Sequence, residues 1–153
     1  LDDISSNMLN IIALILIGYL IGNINVAFLI GKLYGKDLRK TGSKNVGASN
    51  VFKSVGKLQG IISAVIDATI GFIIIYLARD YSPLAIYLVG LSIVAGHNWP
   101  FVLKFKGGQG LAITIGLVIA SLILLPGLEK VITILFILNF IIMRYLLILP
   151  YRK

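Results

Sequence analysis

Apolar residues run along this chain in long unbroken stretches separated by short polar segments; they do not alternate at every second position. A helix satisfies its own backbone groups in lipid, so such runs predict membrane-spanning helices and exclude the period-two pattern of an outer-membrane barrel. Five spans are predicted, at 8–34, 60–78, 83–96, 111–125 and 128–143, with a further apolar stretch at 145–150. The first exceeds the roughly 20 residues a bilayer needs, so it is expected to tilt or be interrupted, and the short third to tilt or re-enter. Small residues four apart, Gly18 with Gly22 and Ala27 with Gly31 and Gly35, predict close helix approach. Asn23 and Asn25 in the first span are read as hydrogen-bonding glue between helices. Asp67, inside the second, is either paired with a nearby loop or functional. The fold class is therefore all-α: one domain, 1–153, a polytopic transmembrane helical bundle of about five spans, without internal repeats.

Composition strengthens the assignment. The chain is 58% hydrophobic and 13% charged, with mean hydropathy +0.99, whereas soluble domains are about 45–50% apolar and about 25% charged. There is no cysteine, hence no disulfide or thiolate metal site. One histidine and six acids argue against a metal cluster. The net charge of +8 lies between apolar spans, which favours anionic headgroups or phosphorylated substrates over nucleic acid. The acidic start (Leu1, Asp2, Asp3) lacks a basic n-region, so the first run reads as a retained helix. Lys36, Arg39, Lys40, Lys44, Lys53 and Lys57 follow span one, Lys104 and Lys106 follow span three, and Arg144, Arg152 and Lys153 follow span five. By the positive-inside rule these loops are cytoplasmic, with the N-terminus outside and the C-terminus inside.

Two of the cytoplasmic segments carry candidate chemistry. The first, Thr41-Gly42-Ser43-Lys44-Asn45-Val46-Gly47-Ala48-Ser49-Asn50, is longer than a turn between helices requires. Its glycines allow close backbone approach, its N–H groups can form an anion nest, and Ser and Asn add neutral donors. The second runs from Gly96-His97-Asn98-Trp99-Pro100 to Lys106-Gly107-Gly108-Gln109-Gly110, just before a predicted helix. A helix N-terminus there would add free N–H groups and a favourable dipole for an anion. No Gly-Lys-Ser/Thr follows, so this is not a Walker loop. His97, the only histidine, reads as a hydrogen-bonding group; Val102 occupies the acid position of a His-x4-Asp pair.

In this order and setting, the two loops resemble the PlsY family of acyl-phosphate:glycerol-3-phosphate acyltransferases. The first resembles that family's Gly-Ser-x-Asn-x-Gly-Ala-Thr/Ser-Asn motif through Gly42, Ser43, Asn45, Gly47, Ala48, Ser49 and Asn50. The second resembles Gly-His-x-x-Pro and Phe-Lys-Gly-Gly-Lys-Gly through Gly96, His97, Pro100, Phe105, Lys106, Gly107, Gly108 and Gly110. Arg144-Tyr145 is similar to the Arg-Tyr after the family's fifth span. There are departures. Gln109 and Lys53 stand where the family has lysine and arginine, Ile70 replaces the lysine of Asp-x-x-Lys-Gly, and Leu147 replaces a serine. Family members continue through further helices to a C-terminal His-Arg-x-Asn motif, so the chain, which stops at Lys153, is expected to be either a shortened paralogue or an incomplete copy.

The resemblance implies acyl transfer from acyl phosphate to glycerol 3-phosphate, giving lysophosphatidic acid at the inner membrane. It implies no cofactor and no metal. Membrane lipids and other enzymes of phospholipid synthesis are its implied neighbours. Ser43, Asn45 and His97 would be the catalytic set, with His97 orienting. Gly42, Gly47, Ser49, Asn50, Lys53, Lys106, Gly107, Gly108, Gln109 and Gly110 would bind the substrate phosphates. The alternative is a weakly active or inactive paralogue that binds phosphorylated lipid precursors or a partner. A small anion channel fits the basic loops, but no polar row crosses the spans to line it.

Overall fold

A computed structural model describes residues 2–127 and 129–148, which are helical or connecting, with no strand among them. Seven α-helices follow in order: α1 (Asp2–Gly22), α2 (Val26–Leu33), α3 (Ala48–Ser54), α4 (Lys57–Ala78), α5 (Pro83–Asn98), α6 (Leu111–Leu124) and α7 (Glu129–Ile148). A single 3-10 turn, Phe101–Leu103, follows α5.

Among the described residues, three stretches are long and apolar enough to cross a membrane: Ser6–Leu33, Lys57–Ala78 and Pro83–Leu103. Two further apolar helices, Leu111–Leu124 and Lys130–Ile142, are shorter than that criterion. At 1.5 Å per residue the 14-residue α6 is about 21 Å long, less than a ~30 Å hydrocarbon core. The third predicted span is longer than its sequence limits, because α5 continues to Asn98 and the 3-10 turn extends it to Leu103. Exposed Leu16 and Leu20 on α1, Ile62 and Ile73 on α4, and Ile119 and Leu122 on α6 form an outward apolar surface of the kind lipid covers.

Two cores organise the chain. The larger packs Ile74 and Ile75 of α4, Ile86, Val89 and Ile93 of α5, Ile113 and Leu117 of α6, and Ile132 and Phe136 of α7. Tight helix approaches frame it: Gly71 lies against the Ile113 carbonyl and Gly116 against the Ala68 carbonyl, joining α4 to α6. Gly22 and Gly96 similarly bring α1 onto α5. The smaller core, Ala27, Leu38, Val46, Val51 and Leu103, lies beneath the two polar loops.

The interruption anticipated in the first span falls at 23–25. Asn25 leaves helical geometry (φ −85°, ψ 101°), and its Oδ1 accepts from the Phe28 N–H at 2.9 Å, so it starts α2 as an N-cap. The glue expected of Asn23 and Asn25 between packed helices is not what they provide. Their long-range partners are backbone groups of the two loops, described below. The Arg144 side chain, Leu147 side chain, Arg152, Lys153 and the end of the 145–150 stretch lie outside the described residues.

Candidate functional site: two loops at one end of the bundle

The first loop is fastened from beneath. Leu38, Val46 and Val51 are fully buried under it. Asn50, on the first turn of α3 and 1% exposed, places its carboxamide in the middle of the loop. The two hydrogens of its Nδ2 are shared among the carbonyls of Asn45 (2.8 Å), Thr41 (2.9 Å) and Leu38 (3.2 Å). Its Oδ1 accepts from the Ser54 hydroxyl at 3.0 Å and the Ser43 N–H at 3.2 Å. Gly42 turns through φ +60°, and a Cβ there would strike Asn50 Oδ1 and Ser54 Oγ, so only glycine fits the strand of loop passing over that amide.

Charge on this loop is sorted. Arg39 binds Asp37 through Nε at 3.0 Å and Nη2 at 2.8 Å, and lies over the Phe28 ring at 5.1 Å. The Arg39 guanidinium holds the Asp37 carboxyl well below the usual carboxylate range. Lys36 Nζ donates to the Ser54 carbonyl at the end of α3. That leaves Lys40, Lys44 and Lys53 exposed on the loop and the adjoining helix.

The second loop folds back on the end of α5. The Gly108 N–H donates to the His97 carbonyl at 3.0 Å and the Gly107 N–H to the Asn98 carbonyl at 3.2 Å. The Tyr19 hydroxyl, from α1, donates to the Trp99 carbonyl at 3.0 Å. Gly110, at φ +68°, is the N-cap of α6, and the Asn98 amide lies beside it. The loop thus presents glycine backbone ahead of the first turn of α6, where N–H groups lack helical acceptors.

The two loops meet at one place. A Cβ on Gly108 would collide with His97 Nε2 and come within 2.7 Å of the Val46 carbonyl of the first loop. His97 is 3% exposed and packs beneath Gly108, closed off from solvent, so its position suits orienting the loop and not attacking a substrate. Of the remaining expected residues, Gly42, Ser43, Ser49, Lys53 and Lys106 are exposed, while Asn45, Gly107 and Gln109 are half-buried and Gly47, Gly108 and Gly110 buried. The Ser43 hydroxyl and the Lys53 and Lys106 ammonium groups have no hydrogen bond or ion pair within the described residues. Asn50 departs from its expected role. Every hydrogen-bonding position of its side chain is taken by the loop, so it shapes the loop and has no position left for a phosphate.

Sequence reasoning passed over Asn98 and Ser63. Asn98 Oδ1 and Nδ2, His97 Nδ1, Ser63 Oγ and Asp67 Oδ1 are buried without a hydrogen-bond partner among the described residues. No ion pair reaches Asp67 there, so the salt bridge considered for it is not formed. The signal was a polar side chain one helical turn from Asp67 on the same face. Beside the loops, a cavity of about 410 Å³ is lined by Leu20, Asn23, Ile24, Asn25, Phe28, Leu29, Phe101, Val102 and Leu103.

Comparison with known proteins places the chain in a family and a fold. A family model described as glycerol-3-phosphate acyltransferase matches residues 12–149. A glycerol-3-phosphate acyltransferase of Thermotoga petrophila is 42% identical over 106 residues, which is 67% of this chain and 54% of that protein. The glycerol-3-phosphate acyltransferase 2 of Moorella thermoacetica is 38% identical over 108 residues, 69% of this chain and 56% of that one. The chain thus spans a little over half the length of these relatives. Among solved structures, the glycerol 3-phosphate form of PlsY, an integral membrane glycerol 3-phosphate acyltransferase, superposes with a TM-score of 0.69 at 31% identity. The match covers 94% of this chain and 78% of that one. The lysophosphatidic acid form, at 24% identity and TM-score 0.67, shares the fold.

Proposed function

The chain belongs to the glycerol-3-phosphate acyltransferase family, and we propose that it transfers an acyl group from acyl phosphate to glycerol 3-phosphate, yielding lysophosphatidic acid. The observation that carries this reading is the junction of the two glycine-rich loops at one end of an apolar bundle, next to an apolar cavity. Such a site offers phosphate-binding groups and a place for a hydrocarbon chain side by side.

The chemistry asks little of the protein beyond alignment. Acyl phosphate is a mixed anhydride. The acceptor hydroxyl attacks its carbonyl carbon, the bond from that carbon to the phosphate oxygen breaks, and the hydroxyl proton leaves with the departing phosphate. Catalysis then consists of holding two phosphates and steadying the charge that moves onto the leaving group. Ser43, Asn45 and the exposed lysines 44, 53 and 106 would contact phosphate, and the 107–110 backbone ahead of α6 would add N–H donors. His97 would orient that backbone from beneath. The acyl chain would enter the cavity lined by Leu20, Phe28 and Phe101.

The test is an acyl-phosphate-dependent transfer assay on the full chain, with glycerol 3-phosphate as acceptor and lysophosphatidic acid as the measured product. Absence of that product would sink the proposal. Ser43→Ala refines it. The hydroxyl is exposed and makes no bond of its own among the described residues, so its removal should leave folding and expression unchanged. It should weaken acceptor use by about 1–3 kcal/mol, the range for a hydrogen bond to a charged group. Lost expression with normal activity per folded molecule would instead make Ser43 structural.

The same reading puts both loops on the cytoplasmic face of the inner membrane, with five crossings. Lys36, Lys40, Lys44, Lys53, Lys104 and Lys106 support that orientation. A cysteine at exposed Lys40 should react with an impermeant thiol reagent only from the cytoplasmic side, and one at exposed Asp80 only from outside. Labelling of both from one side would reject this topology.

A further inference from the structure

We propose that Asn23 and Asn25, on either side of Ile24 at the break between α1 and α2, are a pair of positioning residues that hold the two loops in register. The pair rests on four hydrogen bonds. Asn23 Nδ2 donates to the Tyr19 carbonyl one turn back at 2.7 Å, and its Oδ1 accepts from the Phe101 N–H at 2.7 Å, 78 residues away in the second loop. Asn25 Oδ1 accepts from the Phe28 N–H at 2.9 Å, and its Nδ2 donates to the Val46 carbonyl at 3.1 Å, 21 residues away in the first loop. Each carboxamide therefore spends one half on its own helix end, which fixes the side chain, and reaches a different loop with the other.

A carboxamide suits this role. It presents a donor and an acceptor in one rigid plane, whereas a carboxylate offers acceptors alone. Both residues are at most 5% exposed, and in an apolar setting a buried polar group is retained only with its partners satisfied. The Val46 carbonyl that Asn25 holds is the same one that faces Gly108. Gripping it therefore sets the height of the first loop at the point where the second crosses. Asn23 sets the second loop independently, at the start of its 3-10 turn. Neither asparagine needs to touch substrate; each acts through backbone.

Aspartate variants separate the two halves of each amide, and amide hydrogen exchange reads the loops without reference to activity. In the full chain in detergent micelles, Asn23→Ala should speed exchange of the Phe101 amide by about tenfold, the equivalent of one lost hydrogen bond. Asn23→Asp keeps the acceptor for Phe101 but sets its other oxygen against the Tyr19 carbonyl, so it should restore that amide's protection only in part. Asn25→Asp keeps the cap on α2, so α2 amides should stay protected, yet it lacks the donor to Val46. The first-loop amides of 43–47 should then exchange faster, kcat/KM for glycerol 3-phosphate should fall about tenfold, and the unfolding temperature should drop while α2 stays protected, because a buried oxygen now faces the Val46 carbonyl.

Unchanged exchange at Phe101 in Asn23→Ala, or across 43–47 in Asn25→Asp, would overturn the proposal. The kinetic arm rests on the acyl-transfer reading. Altered exchange in a chain whose parent form makes no lysophosphatidic acid would overturn that reading and leave the positioning pair standing.

Discussion

Asn50→Ala should cost the chain about a hundredfold in acyl transfer, the scale of a misplacement of roughly 1 Å among aligned groups, although the asparagine has no free position for substrate. Its carboxamide holds three loop carbonyls, one loop N–H and the Ser54 hydroxyl. Alanine leaves that set without its hub, in a space 1% open to solvent. Each buried group left unpaired costs about 1–3 kcal/mol. Water can reach the outer parts of this loop, so a net destabilisation of about 2–4 kcal/mol is the expected outcome. Asn50→Asp should be no better. It keeps the acceptor for Ser43 N–H and Ser54 Oγ but turns a negative oxygen toward the carbonyls of Leu38, Thr41 and Asn45. Thermal unfolding and kcat/KM measured together check this. If Asn50→Ala unfolds and turns over like the parent, the loop is held by something other than this amide.

Asn50 also shows where reading a sequence stops. Its place in a Gly-, Ser- and Asn-rich segment marks the segment as a candidate site, because few other uses require so many small polar residues between apolar spans. Composition does not say which way one carboxamide points. Asn45, Asn50 and Ser43 look alike on paper, yet Asn50 is buried as the hub and Ser43 is exposed. The helices were legible for the opposite reason: continuous apolar runs have one economical solution in lipid, the helix. The break in the first span was anticipated from length alone, since 8–34 is too long for one crossing. Its exact place was not, because a cap on α2 and ties to Val46 and Phe101 involve partners 21 and 78 residues away that no local pattern reveals. His97 reads from its lone occurrence as a hydrogen-bonding group, yet its Nδ1 is buried without a partner among the described residues. That it lies under Gly108 is a fact of packing.

Gly108→Ala tests that packing most severely, because one methyl group meets two neighbours that cannot both yield. The added Cβ would strike His97 Nε2, lie 2.9 Å from His97 Cδ2, and come within 2.7 Å of the Val46 carbonyl. The imidazole is a side chain, but it is almost wholly buried. The carbonyl is backbone, held in place by Asn25. The cheapest response is for the second loop to lift away from the first, breaking the Gly108 N–H bond to the His97 carbonyl. Overpacking of this kind costs about 1–3 kcal/mol, so the bundle should survive. The site should not: separating the loops by even about 1 Å is expected to lower kcat/KM about a hundredfold. Adding His97→Ala removes one of the two collisions. The double variant should recover part of the lost stability, because a cavity now accepts the methyl group, while activity stays low because the Val46 carbonyl is still in the way. Melting temperature and kcat/KM for Gly108→Ala, His97→Ala and the double variant form a complete cycle. Parent-level activity in Gly108→Ala would show that the close contact of the two loops is not needed for turnover, and would remove the main geometric support for placing the reaction there.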